Sequence, residues 1–446
     1  MRRRAGSAAL LLVLGSGLAD AQGPAGSANP QPSSQTSTSP SRPLTLAEAE
    51  AIALKNNPQI TVGRLRALVA EQYVRETRSA LLPNAYLSLT AVDANTGSRI
   101  AAGFLNNPIL FPRAAGGASV NQLVTDFGRS TNLLSSSEFS AKAEDQNAAA
   151  TRADVLLAVD QAFYNSLDTQ ALVHVAEQTV AARQTLVDKV QALTSAKLKS
   201  ELDLSFAKVE LARAKLLLLE SRNNVQAALA GLSAVLGYPA EQNFHLVDET
   251  TPLTPPAPDI QPLIQQALEQ RPEIKALQFE VASAQKFGNA EHDLWRPAVN
   301  ALGVVGEAPV RDDHIPNWYG AVGVNINIPV FNGFLYNSRA KAADLKTEAD
   351  RQRLRDLENT ISRDVRVSWQ DTNRAYERLS VTRQLREQAN LALDLAQARY
   401  NLGLGSIVEF TQAELQKTEA DIADADATYQ YRLTQLVLAF TVAAPK

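Results

Sequence analysis

The sequence predicts an α+β chain with an internal two-fold repeat, in which long antiparallel coiled-coil helices carry one β-hairpin per repeat. Three observations predict it. The segment ALKNNPQI (Ala53–Ile60) returns as ALEQRPEI (Ala267–Ile274) at an offset of 214, and self-similarity at a fixed spacing marks duplicated units. Proline is absent from Arg113 to Tyr238 and from Val330 to Ala444, so each copy holds more than a hundred residues that no helix breaker interrupts. Ahead of the second of these stretches the apolar period becomes two. There Val322, Val324, Ile326 and Ile328 alternate with Gly323, Asn325 and Asn327, the pattern of a strand with one apolar face.

The elements follow in chain order. Residues 1–21 read as a secretory signal, with Arg2, Arg3 and Arg4 ahead of an apolar stretch near Ala8–Leu14 and the small residues Ala19 and Ala21 at a cleavage position. Residues 22–43, rich in Pro, Ser, Thr and Gly, form a leader with too little apolar surface to order itself. The first repeat, residues 44–238, is expected to open with one helix over Thr45–Ala80. It continues with strands at Asn84–Ala94 and Ala118–Phe127 (hairpin 84–127), then helices at Arg129–Thr194 and Leu202–Leu236. A Pro-rich linker, residues 239–259, separates it from the second repeat, residues 260–446. There the matching elements are a helix over Asp259–Leu294, strands at Ala298–Glu307 and Trp318–Val330 (hairpin 298–331), and helices at Phe334–Leu402 and Ile407–Val442.

Leu204, Leu211, Leu218, Val225 and Leu232 recur every seven residues, and Val408, Leu415, Ile422, Tyr429 and Leu436 repeat them at an offset of 204. Ala207, Ala214, Ser221, Ala228 and Val235 fill a companion seam of mostly small residues, which lets helices approach closely as in coiled coils. A helix of about 65 residues is about 100 Å long, beyond any compact globular domain.

With no cysteine and a formal charge of −4, the chain has no disulfide, no thiolate metal site, no cysteine nucleophile and no basic face for nucleic acid. After the signal, no run reaches the roughly 18 apolar residues of a spanning helix, so any membrane insertion uses strands. Strands of about ten residues fit a tilted membrane strand, and Tyr86, Phe127, Trp295, Trp318, Tyr319 and Phe331 stand near their ends as interfacial girdles do. Four strands cannot close a barrel, whose minimum is about eight. Three chains supply twelve, which makes a homotrimer the simplest transmembrane β-barrel with a lumen.

Catalytic constellations are absent. His174, His245, His292 and His314 are scattered, and there is no HExxH, GxSxG, P-loop or GxGxxG. Asp312, Asp313 and His314 are the one candidate metal cluster and read as a solvated turn. No enzymatic activity, cofactor or metal is expected.

Four segments in order, LTLAEAEAIALKNNPQI, LVTDFGR, IPVFNGF and RYNLGLGSIVEFTQAEL, carry a resemblance to the TolC-type outer membrane efflux proteins across Leu44–Val442. The resemblance implies a twelve-stranded barrel in the cell outer membrane, continuous with a tunnel of twelve helical strands through the periplasm. It also implies the role of exit duct in a tripartite efflux or type I secretion system, with a periplasmic adaptor (membrane fusion) protein and an inner-membrane transporter as partners. Within that resemblance Glu409 and Gln412 match the periplasmic aperture, with a second acid replaced by the neutral Gln412. Tyr400 and Asp203 match a gate latch. Gly405 takes a latch position where some relatives have arginine. The same residues also have structural readings: Tyr400 packing its ring, Asp203 capping a helix, Glu409 as a solvated carboxylate. The rival to a channel is a periplasmic helical adaptor-like protein without a pore.

Overall fold

The computed structural model describes residues 43–93, 113–242, 244–248, 252–309, 314 and 316–444. The signal, the leader up to residue 42, most of the connection after the first strand, and Asp312 and Asp313 lie outside the described residues.

Each repeat begins with two helices where one was expected. In the first, α1 (Leu46–Asn56) is closed at its start by a reciprocal cap: Glu48 N–H donates to Thr45 Oγ1 (3.3 Å), and Thr45 N–H donates to the Glu48 carboxylate (3.2 Å). Pro58 pushes Asn57 into extended backbone (φ −68°, ψ 123°), which ends α1 and starts α2 (Pro58–Ser79). Asn57 then accepts from Gln59 N–H at 2.9 Å and donates its amide to the Val235 carbonyl at 2.8 Å. Pro272 does the same in the second repeat, dividing α5 (Gln261–Gln270) from α6 (Pro272–His292), with Arg271 extended between them. The leader's last residue is also ordered: β1 (Pro43–Leu44) runs parallel to β4 (His245–Leu246).

The strands β2 (Asn84–Val92), β3 (Arg113–Thr125), β5 (Ala298–Glu307) and β6 (Trp318–Asn327) form one antiparallel sheet in the order β2-β3-β5-β6. β6 stops at Asn327 rather than Val330, two residues ahead of Pro329, which lacks a donor. The register sorts the side chains by face. Leu87 and Leu89, Ala118 and Val120, Val305, and Val322, Val324 and Ile326 share one side, while Ser88, Ser119, Asn121, Asn300, Asn325 and Asn327 share the other. The apolar face is uncovered by the described residues: Leu89 is 79% exposed and Val322 92%. Tyr319 crosses a row of glycines on the polar side. A Cβ at Gly306 would lie 2.6 Å from both the Tyr319 hydroxyl and the Gly116 carbonyl, so this row admits no larger residue.

The long helices α3 (Arg129–Ser195) and α4 (Glu201–Val235), then α7 (Leu335–Asn401) and α8 (Ile407–Thr441), form two antiparallel hairpins. α3 and α7 each have 67 residues, about 100 Å. Among the described residues no helix is long and apolar enough to cross a membrane. Both long hairpins stand 206 residues apart, not 204, because the exit from β6 into α7 is longer than the exit from β3 into α3. The buried seam of α8 is therefore Phe410, Ala413, Ala420 and Ala427, the repeat equivalents of Leu204, Ala207, Ala214 and Ser221, and Val408 is 52% exposed.

Two related cores sit where the short helices meet the long ones. Ala53, Val155, Val159 and Leu236 belong to the first, and their repeats Ala267, Ile361, Val365 and Val442 to the second. Beside the first, the linker is tied to α8 through Asp248, which pairs with Arg432 and accepts from the Tyr429 hydroxyl at 3.3 Å. Burial, and then Asp248, push the Tyr429 hydroxyl up to about 12. Asp168 of α3 is half-buried with one carboxylate oxygen lacking a hydrogen-bond partner, and burial, then Asp426, push it up to about 6.

The Asp168 carboxyl should thus give the folded chain a pH-dependent stability. Its unfolded counterpart loses its proton near the ordinary 3.8 and the folded one near 6, so the folded state binds more protons and stability falls as pH rises across that interval, then levels off. Thermal unfolding of the helical circular dichroism should show Asp168→Asn losing this slope and melting above wild type at pH 7. An identical slope in both proteins would remove Asp168 from the account.

Candidate functional site

The two long hairpins end in tips of the same construction. At the first, Lys197 takes positive φ (60°) and Leu198 N–H donates to the Leu193 carbonyl at 2.8 Å. At the second, Gly403 takes φ 73° and Leu404 N–H donates to the Arg399 carbonyl at 2.9 Å. These are left-handed C-caps that satisfy the last carbonyls of α3 and α7. A serine then starts the return helix in each: Ser200 accepts from Asp203 N–H and Ser406 from Glu409 N–H, both at 3.1 Å.

Each of the expected site residues lies at these tips. Asp203 completes a capping box, its carboxylate accepting from Ser200 N–H at 3.3 Å. Tyr400, 3% exposed, stacks on Phe410 with ring centroids 5.5 Å apart. It packs with Leu186, Val190, Leu204 and Leu211 in one apolar cluster that joins the two hairpins. Its hydroxyl is buried without a hydrogen-bond partner, and burial, then Asp203, raise it above the usual phenol range. Tyr400 and Asp203 are thus brought near enough to interact, while no hydrogen bond joins them among the described residues. Glu409 and Gln412 lie on the exposed side of α8, one turn apart. Gly405 packs under Glu409: a Cβ there would lie 3.1 Å from the Glu409 carboxylate and 3.2 Å from Arg399 Cβ.

Sequence reasoning missed the cations. Arg399 Nε donates to the Glu409 carboxylate at 2.9 Å, and Lys199 Nζ lies 4.1 Å from the centre of the Tyr400 ring. Lys189 donates to Asn401 at 2.7 Å, joining the two tips. Further along, Arg183 of α3 and Glu414 of α8 form a buried ion pair between the hairpins, with side chains 4% and 11% exposed. Burial raises the Glu414 carboxyl, against the lowering effect of Arg183. The Arg399–Glu409 pair could have been found from the helix-end rule that places a base at one helix C-terminus and an acid at the next N-terminus. The Arg183–Glu414 pair, 231 residues apart, carries no local signal.

The model of the outer membrane efflux protein family matches residues 51–238 and 263–443. The chain belongs to that family. Its two matched segments cover both repeats, and the family is one of outer membrane channel proteins rather than enzymes. The outer membrane protein TolC of Vibrio cholerae is 22% identical over 403 residues, 88% of this chain and 89% of that protein. TolC of Salmonella enteritidis is 25% identical over 121 residues, 27% of this chain, so the chain spans only 25% of that relative's length. Among solved structures, the outer membrane protein VceC of Vibrio cholerae superposes with a TM-score of 0.76 at 17% identity, covering 89% of this chain and 95% of that one. At that identity the likeness establishes the shared fold of the outer membrane efflux proteins.

The buried pair makes a stability prediction. Arg183→Met leaves the Glu414 carboxyl buried without its cation and should cost about 3–5 kcal/mol. Arg183→Met with Glu414→Leu should recover most of that loss, since an apolar pair of similar size carries no desolvation cost. Denaturant unfolding followed by helical circular dichroism measures both. A double variant no more stable than the single would show that the ion pair is not the reason for the loss.

Proposed function

We propose that three copies of the chain close a twelve-stranded barrel in the outer membrane, continuous with a periplasmic helical tunnel, and that the assembly is the exit duct of a tripartite efflux or type I secretion system. The observation that carries this reading is the sheet. It has one apolar face that none of the described residues covers, a polar face opposite, and two edges, β2 and β6, without a partner among the described strands. In hydrocarbon such edges need partners, and pairing β6 of one copy with β2 of the next satisfies both. Apolar side chains left exposed along the helices support the same assembly: Val62, Leu65, Val69 and Tyr73 on α2, and Leu216 and Leu219 on α4.

The hairpin tips lie at the far end of the long helices and carry exposed Leu198, Leu202, Leu402 and Leu404. They suit an apolar contact with a periplasmic adaptor, which would pass substrate from an inner-membrane transporter. Within the trimer Glu409 and Gln412 line the aperture, and Tyr400, Asp203 and Gly405 stand at the contact between the hairpins that closes it. A poreless adaptor-like protein would leave the apolar face of the sheet without a role. No catalytic step belongs to this function.

The assembly and its orientation can be checked together. The detergent-purified protein should have the mass of a trimer by light scattering, and a monomer retaining full strand content in bilayers would sink the proposal. An epitope inserted after Pro309, in the connection from β5 to β6, should be reached by antibody on intact cells. One inserted at Leu253 in the linker should be reached only after the outer membrane is permeabilised.

A further inference from the structure

We infer that Arg399 sets the charge of the narrow end, so that the aperture carries a ring of ion pairs in place of a ring of bare carboxylates. The inference rests on the reading of Glu409 as an aperture residue. Arg399 occupies the last turn of α7 and Glu409 the first turn of α8, and the turn between them folds the two together. Besides its 2.9 Å bond to Glu409, the guanidinium donates through Nη2 to the Leu404 carbonyl at 3.3 Å, so it is anchored to the tip backbone as well. Gly405 makes this possible. A side chain there would enter the space that Arg399 and Glu409 now fill.

The pair faces solvent, with side chains 56% and 44% exposed, and contributes little to stability. Its effect on permeating ions does not depend on that energy, because the Glu409 field is cancelled by a positive charge within a few ångströms. Each charge is also favoured by its own helix end, a cation at the C-terminus of α7 and an anion at the N-terminus of α8. The neighbouring groups do not restore a negative field. Gln412 is neutral, and the two acids of the neighbouring tip, Glu201 and Asp203, are balanced by its two lysines, Lys197 and Lys199. In a trimer the three carboxylates are thus matched by three guanidinium groups. The substrate class that follows is solutes of either charge sign, in contrast to the cation preference that an acidic ring would impose.

The test is the reversal potential of purified trimers in planar bilayers under a KCl gradient near 0.1 M, where a Debye length of about 10 Å leaves aperture charges unscreened. Wild type should pass potassium and chloride at comparable rates. Arg399→Gln should raise the potassium-to-chloride ratio by about threefold or more and Glu409→Gln should lower it by a similar factor, while the double variant returns to wild type. Arg399→Lys keeps the charge and should keep the wild-type ratio, with helical circular dichroism confirming that every variant is folded. If Glu409→Gln lowers the ratio and Arg399→Gln leaves it unchanged, the pairing is overturned and the aperture reading stands. If no variant moves the ratio, Glu409 is not at the constriction and the aperture reading itself fails.

Discussion

A backbone N–H or C=O in hydrocarbon has no water to turn to, and in the proposed barrel that restriction organises the chain from its strands outward. The four strands pair internally along three ladders and leave β2 and β6 open at the edges. Their length, the apolar face running through Leu87, Ala118, Val305 and Val322, and the glycine row under Tyr319 suit the proposed barrel, in which the sheet is continued by its own copies. The helices inherit the consequence. Each hairpin exit must turn sharply into a 67-residue helix, which it does through left-handed backbone at Phe127 and Gly128 in one repeat and Gly333 and Phe334 in the other.

The helical part is held by different means at different heights. Near the short helices, apolar cores repeat almost position for position, Val155 and Val159 answering to Ile361 and Val365. At the tips a single cluster containing Tyr400 and Phe410 is shared by both hairpins. Between these levels the contact between hairpins is partly ionic, through Arg183 and Glu414. A buried ion pair is no more stabilising than a well-packed apolar pair, but it is intolerant of misalignment, since a displaced partner leaves a charge buried alone. It therefore disfavours any other relative register of the two hairpins at that height.

Much of the fold was legible from residues alone. The period-two run through Val322–Ile328 announced a strand, and the long helices expected at Arg129–Thr194 and Phe334–Leu402 within the proline-free stretches match α3 and α7 to within a residue at each end. The misreadings have physical causes. Pro58 and Pro272 stand at N1 of a second helix, a position proline favours, so a helical pattern continued across a break in the backbone. The heptad in α8 was placed two residues early because Val408 and Leu415 repeat the spacing of leucines without being the residues that pack. Spacing defines a stripe on a helix, whereas burial depends on which stripe the neighbour covers.

The site divides in the same way. The sequence by itself determined the duplication and the helix and strand types, which follow from local pattern and chain stereochemistry, while Tyr400, Asp203, Gly405, Glu409 and Gln412 were singled out by the resemblance to the efflux proteins. Tertiary structure alone decided what those residues touch across the two hairpins. It put Tyr400 under Lys199 and into one apolar cluster with Leu186, Val190, Leu204 and Leu211. It also brought Arg183 to Glu414 across 231 residues of chain. Such pairings are set by how two 67-residue helices lie against their neighbours, a property of packing that no short window of sequence encodes.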